Sequence, residues 1–190
     1  MISVVLGGAR SGKSRYAESL VKKISERKSE SIENHRVVYV ATATAGDDEM
    51  AERIRQHQID RPSSWLLIEE PLHLAEVVST ACHTDILLID CMTLYLTNWL
   101  CKPSSEVLSD IEKLQQDWCT EKYALITALK QTPAQVVIVS NEVGSGIVPL
   151  GELSRVFVDE AGWLNQALAE LADDAVLIVA GCPLILKNKV

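Results

Sequence analysis

No two of the five cysteines are spaced C-x-x-C. They fall at 82, 91, 101, 119 and 182, an odd and scattered set that argues against a disulfide framework. Small buried or semi-buried thiols in a reducing compartment are expected instead. Basic residues are also short, with 18 Lys and Arg against 26 Asp and Glu and a net charge of −8. An acidic surface repels a phosphate backbone, which disfavours nonspecific nucleic-acid binding and leaves room for one local anion site. Long apolar runs are missing. The strongest, such as Ile86–Ile89, are far below the roughly 20 residues that cross a bilayer, so no membrane span is expected. Met1 leads straight into a short apolar strand and then glycines; without a signal peptide, a cytoplasmic protein is expected. Internal repeats and linker-like segments are lacking too, so one domain over residues 1–190 is the expectation.

What is present suits an ordinary globular protein: 47% hydrophobic and 23% charged residues in 190, enough for a sizeable core. Short apolar runs alternate with longer amphipathic stretches. Strands are expected at Ser3–Leu6, Val37–Val40, Leu66–Ile68, Ile86–Ile89, Val136–Val139 and, closing the set, Ala175–Val179. Helices are expected at Lys13–Lys28, Asp47–Gln58, Leu72–Ala81, Glu106–Lys130 and Leu153–Ala172. Leu94–Leu100 reads equally as helix or loop, and the polar run Ser25–Arg36 reads as loop. Strands without polar alternation, separated by helices, argue for a three-layer α/β fold around a mostly parallel sheet.

Between the first strand and the first helix stands Gly7-Gly8-Ala9-Arg10-Ser11-Gly12-Lys13-Ser14, which satisfies G-x-x-x-x-G-K-[ST]. Glycines let backbone N–H groups face phosphate oxygens, and the helix beyond presents its positive end. Lys13 reaches the outer phosphates, and the Ser14 hydroxyl is a ligand for Mg²⁺. Ala9 stands where a dinucleotide fingerprint needs glycine, which excludes that alternative. A nucleoside triphosphate is therefore the expected ligand.

Asp90, ending the strand ILLID, fits a carboxylate that positions Mg²⁺ through water. Glu142, after VVIVSN, is a second acid whose neighbours Asn141 and Gly144 equally suit a turn. His57 follows Met50 and Ile54 at i, i+4, i+7 spacing, on one helix face. That spacing fits a core-facing histidine. It also fits a nucleophile, because a neutral imidazole beside a polarised triphosphate can attack phosphorus and Arg61 can clamp a phosphate. A GTP-dependent switch is the competing class: Asp159-Glu160-Ala161-Gly162 matches D-x-x-G, but no N-K-x-D occurs, and the match lies in a helical stretch.

GGARSGKSRYAE, YVATA (39–43), DDEMAERIRQH (47–57), RP-x-x-W (61–65), NEVGSGIVP (141–149) and AG-x-x-NQ (161–166) follow one another along nearly the whole chain. Together they resemble the bifunctional adenosylcobinamide kinase/adenosylcobinamide-phosphate guanylyltransferase family. The resemblance implies a RecA-like P-loop NTPase fold, a homotrimer, and GTP, ATP, adenosylcobinamide and adenosylcobinamide phosphate as partners. It implies His57 as the residue that carries GMP, and nucleotide contacts from Gly7 through Ser14, Ala41, Thr42, Ala43, Gln58, Ile59, Asp60, Arg61, Glu69 and Asp90. The chain departs from some members in having Gln56 before His57 and aspartate rather than glutamate at 90. A kinase without the transferase activity is the runner-up reading.

Overall fold

A computed structural model describes residues 1–28, 35–44, 52, 55, 62–102 and 111–188. Seven strands form one sheet: β1 (Ile2–Gly7), β2 (Arg36–Ala41), β3 (Leu66–Glu69), β4 (Asp85–Asp90), β5 (Gln135–Asn141), β6 (Asp174–Val179) and β7 (Cys182–Asn188). The described helices are α1 (Lys13–Lys28), α2 (Leu74–Thr80), α3 (Met92–Leu100), α4 (Ile111–Gln131) and α5 (Glu152–Leu171). Strand order is β3-β2-β4-β5-β1-β6-β7, with β1 to β6 parallel and β7 antiparallel to β6.

Strand side chains alternate between the two faces, and both faces are apolar, which is why the strands show no polar alternation. Val4, Leu6, Val38, Val40, Leu87, Ile89, Val136 and Ile138 pack under α2, α3, α4 and α5. Val5, Val37, Tyr39, Ile86, Leu88, Val137 and Val139 meet Ala17, Val21 and Ile24 of α1 on the other. The three expected layers are present.

The helical layer over the first face is also joined by polar bonds. Glu160 of α5, buried at 2% exposure, accepts from Trp118 Nε1 at 2.8 Å and from Lys122 Nζ at 2.7 Å. The Tyr95 hydroxyl of α3 donates to Glu121 and accepts from Leu74 N–H at 3.3 Å, and its ring meets Trp118 edge-on at 5.8 Å. Burial and the neighbouring Glu121 carboxylate push the Tyr95 hydroxyl above the usual phenol range. α3 starts two residues after Asp90, so its burial through Met92, Tyr95, Leu96 and Leu100 fixes the end of β4.

Two segments differ from the sequence expectation. Leu94–Leu100 is helical and the helix starts earlier, at Met92. β6 does not close the set: Ala180 and Gly181, with φ of 51° and 80°, turn the chain between the paired residues Val179 and Cys182 and lead into β7. Two consecutive positive φ values match the right-handed twist of a two-residue hairpin. Pro183 is tolerated because β7 is an edge strand. The helix expected at Asp47–Gln58 lies outside the described residues except for Glu52 and Arg55, which are helical and ion-paired at 2.6 Å. The first part of Glu106–Lys130 is likewise outside them, and its described part runs Ile111–Gln131. Asp159–Gly162 lies within α5, which accords with reading its D-x-x-G as coincidence.

Arg36 and Asp85, paired in register where β2 and β4 begin, are joined by two hydrogen bonds from the guanidinium. The bonded Arg36 holds the Asp85 carboxyl at about 2, with the Cys82 N–H adding to the effect against the cost of burial. The folded value is below the unfolded one of about 3.9, so this contribution is complete above that pH and vanishes as pH falls through about 2. Asp85→Asn should cost about 1 kcal/mol at pH 7, kept small by the solvent around Arg36. The gap from wild type should narrow steadily below pH 4 in urea titrations; a gap independent of pH contradicts the assignment.

Candidate functional site

The carboxyl ends of the parallel strands converge on one edge of the sheet. Cross-strand register places Gly7 opposite Asn141 and Ile178, Asp90 opposite Ala41, and Ala41 opposite Glu69. In open α/β sheets this edge is where ligands bind. It gathers the expected contacts Gly7–Ser14, Ala41–Ala43, Glu69 and Asp90.

The loop from Gly7 to Gly12 turns sharply over the end of β1. A Cβ on Gly7 would overlap Ser11 Oγ and come within 2.8 Å of the Ile178 carbonyl oxygen, so this position has no room for a side chain. Arg10 and Gly12 take positive φ of 56° and 94°. Ser11 N–H donates to Gly8 O at 3.3 Å, while Gly181 N–H donates to Ser11 O at 2.9 Å and ties the β6–β7 turn to the loop. Lys13 Nζ donates to Gly8 O at 3.4 Å, a long bond that keeps the ammonium over the loop. Ser11 Oγ is buried with no hydrogen-bond partner among the described residues. The first turn of α1 holds no acidic residue, so nothing there opposes an anion at the positive helix end.

Asp90 is half-buried, and one of its oxygens, Oδ2, accepts from the Tyr39 hydroxyl at 3.1 Å. Thr42 braces the neighbouring strand end: its hydroxyl donates to Cys91 O at 2.7 Å and accepts from Cys91 N–H at 2.9 Å. Asn98 Nδ2 donates to the carbonyls of Thr42, at 2.7 Å, and of Pro71, at 3.1 Å, tying the exits of β2 and β3 to α3. On the other side Asn165 Nδ2 donates to Asn141 O at 3.0 Å, joining the motifs at 141–149 and 161–166. The Glu142 carboxylate accepts from Gly144 N–H at 2.7 Å, which is the turn role. Burial is the main force pushing the Cys91 thiol up, so it is no thiolate.

Of the expected site residues, His57, Gln58, Ile59, Asp60 and Arg61 lie outside the described residues. The positioning roles of Tyr39, Asn98 and Asn165 escaped the sequence reading. Tyr39 stands in YVATA and Asn165 in AG-x-x-NQ, so a trace of two of them was there; Asn98 stands in a segment with no motif.

A family model described as cobinamide kinase / cobinamide phosphate guanyltransferase matches residues 3–186. The chain belongs to this family. Membership makes it a transferase with a nucleotide and cobinamide as substrates. The Pseudomonas aeruginosa bifunctional adenosylcobalamin biosynthesis protein CobP is 44% identical over 190 residues, covering 100% of this chain and 99% of its own. The proteins called bifunctional adenosylcobalamin biosynthesis protein CobU in Escherichia coli K12 and Salmonella typhimurium LT2 are each 40% identical over 185 residues, covering 95% of this chain and 97% of theirs. A solved ATPase from a type III secretion system of pathogenic bacteria overlaps 93% of this chain and 50% of its own at a TM-score of 0.48 and 9% identity. The fold reading rests on the sheet itself.

The two glycines that open the family's loop are under different constraints. Gly8 has nothing within 4 Å of an added Cβ, whereas Gly7 meets backbone. Gly7→Ala should lower stability by about 1–3 kcal/mol through overpacking. Gly8→Ala should stay within about 0.5 kcal/mol of wild type. Urea unfolding of the two variants checks this, and equal losses would contradict the packing described.

Proposed function

We propose that the chain performs both transfers in its family's description, the kinase and the guanylyltransferase, and that His57 is the covalent carrier in the second. The observation that carries the reading is the loop at the carboxyl edge, with Lys13 over it and the Asp90 carboxylate two strands away. In the kinase step the aminopropanol hydroxyl oxygen of adenosylcobinamide attacks the γ-phosphorus. The bond to the β,γ-bridging oxygen breaks, the nucleoside diphosphate leaves and the hydroxyl proton is released. In the transferase step an imidazole nitrogen of His57 attacks the α-phosphorus of GTP and pyrophosphate departs. An oxygen of adenosylcobinamide phosphate then attacks that phosphorus, breaks the P–N bond and forms adenosylcobinamide-GDP. Covalent catalysis divides one difficult displacement into two. Lys13 and the loop N–H groups oppose the charge that builds on the leaving phosphates.

Ser14 and Asp90 suit Mg²⁺. Both offer hard oxygen donors, and Asp90 keeps Oδ1 clear of the Tyr39 hydroxyl bond. Mg²⁺ bound there with the phosphates supplies counter-charge to them. The homotrimer is the assembly the resemblance implies; association between copies is supported by apolar side chains left in solvent, among them Ile147, Leu150, Leu184, Ile185 and Leu186. Work in the cytoplasm is supported by five free thiols, and no described helix is long and apolar enough to cross a membrane.

GTP labelled at the α-phosphate should label the protein, and label at the γ-phosphate should not remain with it. The linkage should be acid-labile and alkali-stable, as a phosphoramidate is. His57→Ala and the similarly sized His57→Asn should lose the label and guanylyl transfer while keeping most kinase activity. Persistence of the α-label in both variants assigns the nucleophile elsewhere.

A further inference from the structure

Beside the loop lies a cavity of about 270 Å³ between α1 and the β6–β7 turn. Tyr16, Ser19 and Lys23 line it at spacings of three and four, one face of α1, with Gly12, Arg15, Leu20 and Gly181 completing the walls. The volume is near the roughly 300 Å³ lower bound of small-molecule sites, right for a nucleoside and far too small for a corrinoid. Gly12 belongs to both the phosphate loop and the cavity, so a ligand with phosphates in one has its remainder next to the other. No described partner is bonded to the side chains of Arg15, Tyr16 or Lys23, and nothing lies within 4 Å of a Cβ built on Gly181. A tyrosine ring and a guanidinium are surfaces on which a base stacks.

The sheet order gives the cavity its meaning. β1 is flanked by β5, β4, β2 and β3 on one side and by β6 and β7 on the other. Ala41–Ala43, Glu69 and Asp90, the described nucleotide contacts beyond the loop that the resemblance implies, are all on the first side; the cavity reaches the second at Gly181 of the β6–β7 turn. We propose that this cavity is the nucleoside subsite of the γ-phosphoryl donor, so that one phosphate loop serves two nucleotides whose nucleosides point in opposite directions. The proposal rests on the reading of the loop as the triphosphate cradle. A nucleoside held by α1 and the β6–β7 turn turns its α-phosphate away from those contacts. Its γ-phosphorus stays free to accept the substrate hydroxyl oxygen as the bond to the diphosphate breaks.

The test compares ATP with inorganic tripolyphosphate, which has the phosphates and no nucleoside. Ser19→Trp places a ring in the cavity from an exposed helix position, and Arg15→Ala removes one stacking surface; Lys13→Ala is the control on the cradle. Ser19→Trp should weaken ATP binding and raise the kinase KM for ATP by about tenfold or more, and Arg15→Ala by several-fold. Tripolyphosphate affinity and the KM for GTP in guanylyl transfer should stay unchanged in both. Unchanged ATP binding in both variants, parallel loss of tripolyphosphate, or an equal rise in the KM for GTP each overturns the proposal. So does a Ser19→Trp protein whose oligomeric state has changed, since the cavity is then a contact between copies. Lys13→Ala should weaken ATP and tripolyphosphate alike; if it weakens neither, the cradle reading itself fails, a signature separate from any failure of the subsite.

Discussion

The chain folds back over the end of β1 so closely that Gly7 has no space for a side chain between Ser11 and the Ile178 carbonyl. Close packing leaves backbone N–H groups, rather than side chains, as the surface above the strand. It also links the loop to two neighbours: Gly7 O accepts from Glu142 N–H at 3.1 Å, and Ser11 O from Gly181 N–H at 2.9 Å. The phosphate loop is thus held by the exits of β5 and β6, on both sides of β1. Its shape therefore depends on the central sheet, which is buried between two apolar faces.

Strand order then distributes the chemistry. β5 stands between β1 and β4, so Asp90 lies two strands, about 10 Å, from the start of the loop. A triphosphate spans such a gap; a single side chain does not. The polar bonds at this edge serve placement: Asn98 holds the exits of β2 and β3, Asn165 that of β5, and Tyr39 one oxygen of Asp90. Each is a local bond between elements distant in sequence, which is how a parallel sheet turns six separate strand ends into one surface.

That dependence on distant pairing explains what the sequence revealed and what it withheld. β1, β4 and β5 were legible because strands buried on both faces read as unbroken apolar runs. The phosphate loop was legible because its glycines and Lys13 are consecutive. β7 was missed: Pro183 demotes a strand reading, and both its faces are largely exposed, so Leu184–Leu186 lacks a periodic signal. Leu94–Leu100 was ambiguous for the opposite reason, because Met92, Thr93, Tyr95, Leu96 and Leu100 are all buried and no polar face marks the helix. Strand order and the roles of Asn98 and Asn165 have no local signature. Family resemblance supplied His57 and its neighbours at 58–61, which helical spacing alone left open between nucleophile and core.

The account turns on a single phosphate cradle shared by two reactions. Its most direct test is inhibition of guanylyl transfer by an ATP analogue with an imido bridge between the β- and γ-phosphorus atoms, measured over a range of GTP concentrations. A shared cradle predicts strictly competitive inhibition against GTP, with the maximal rate recovered at saturating GTP, because the two triphosphates cannot occupy the loop together. Noncompetitive inhibition, or a complex in which GTP and the analogue are bound to one chain at once, would contradict it.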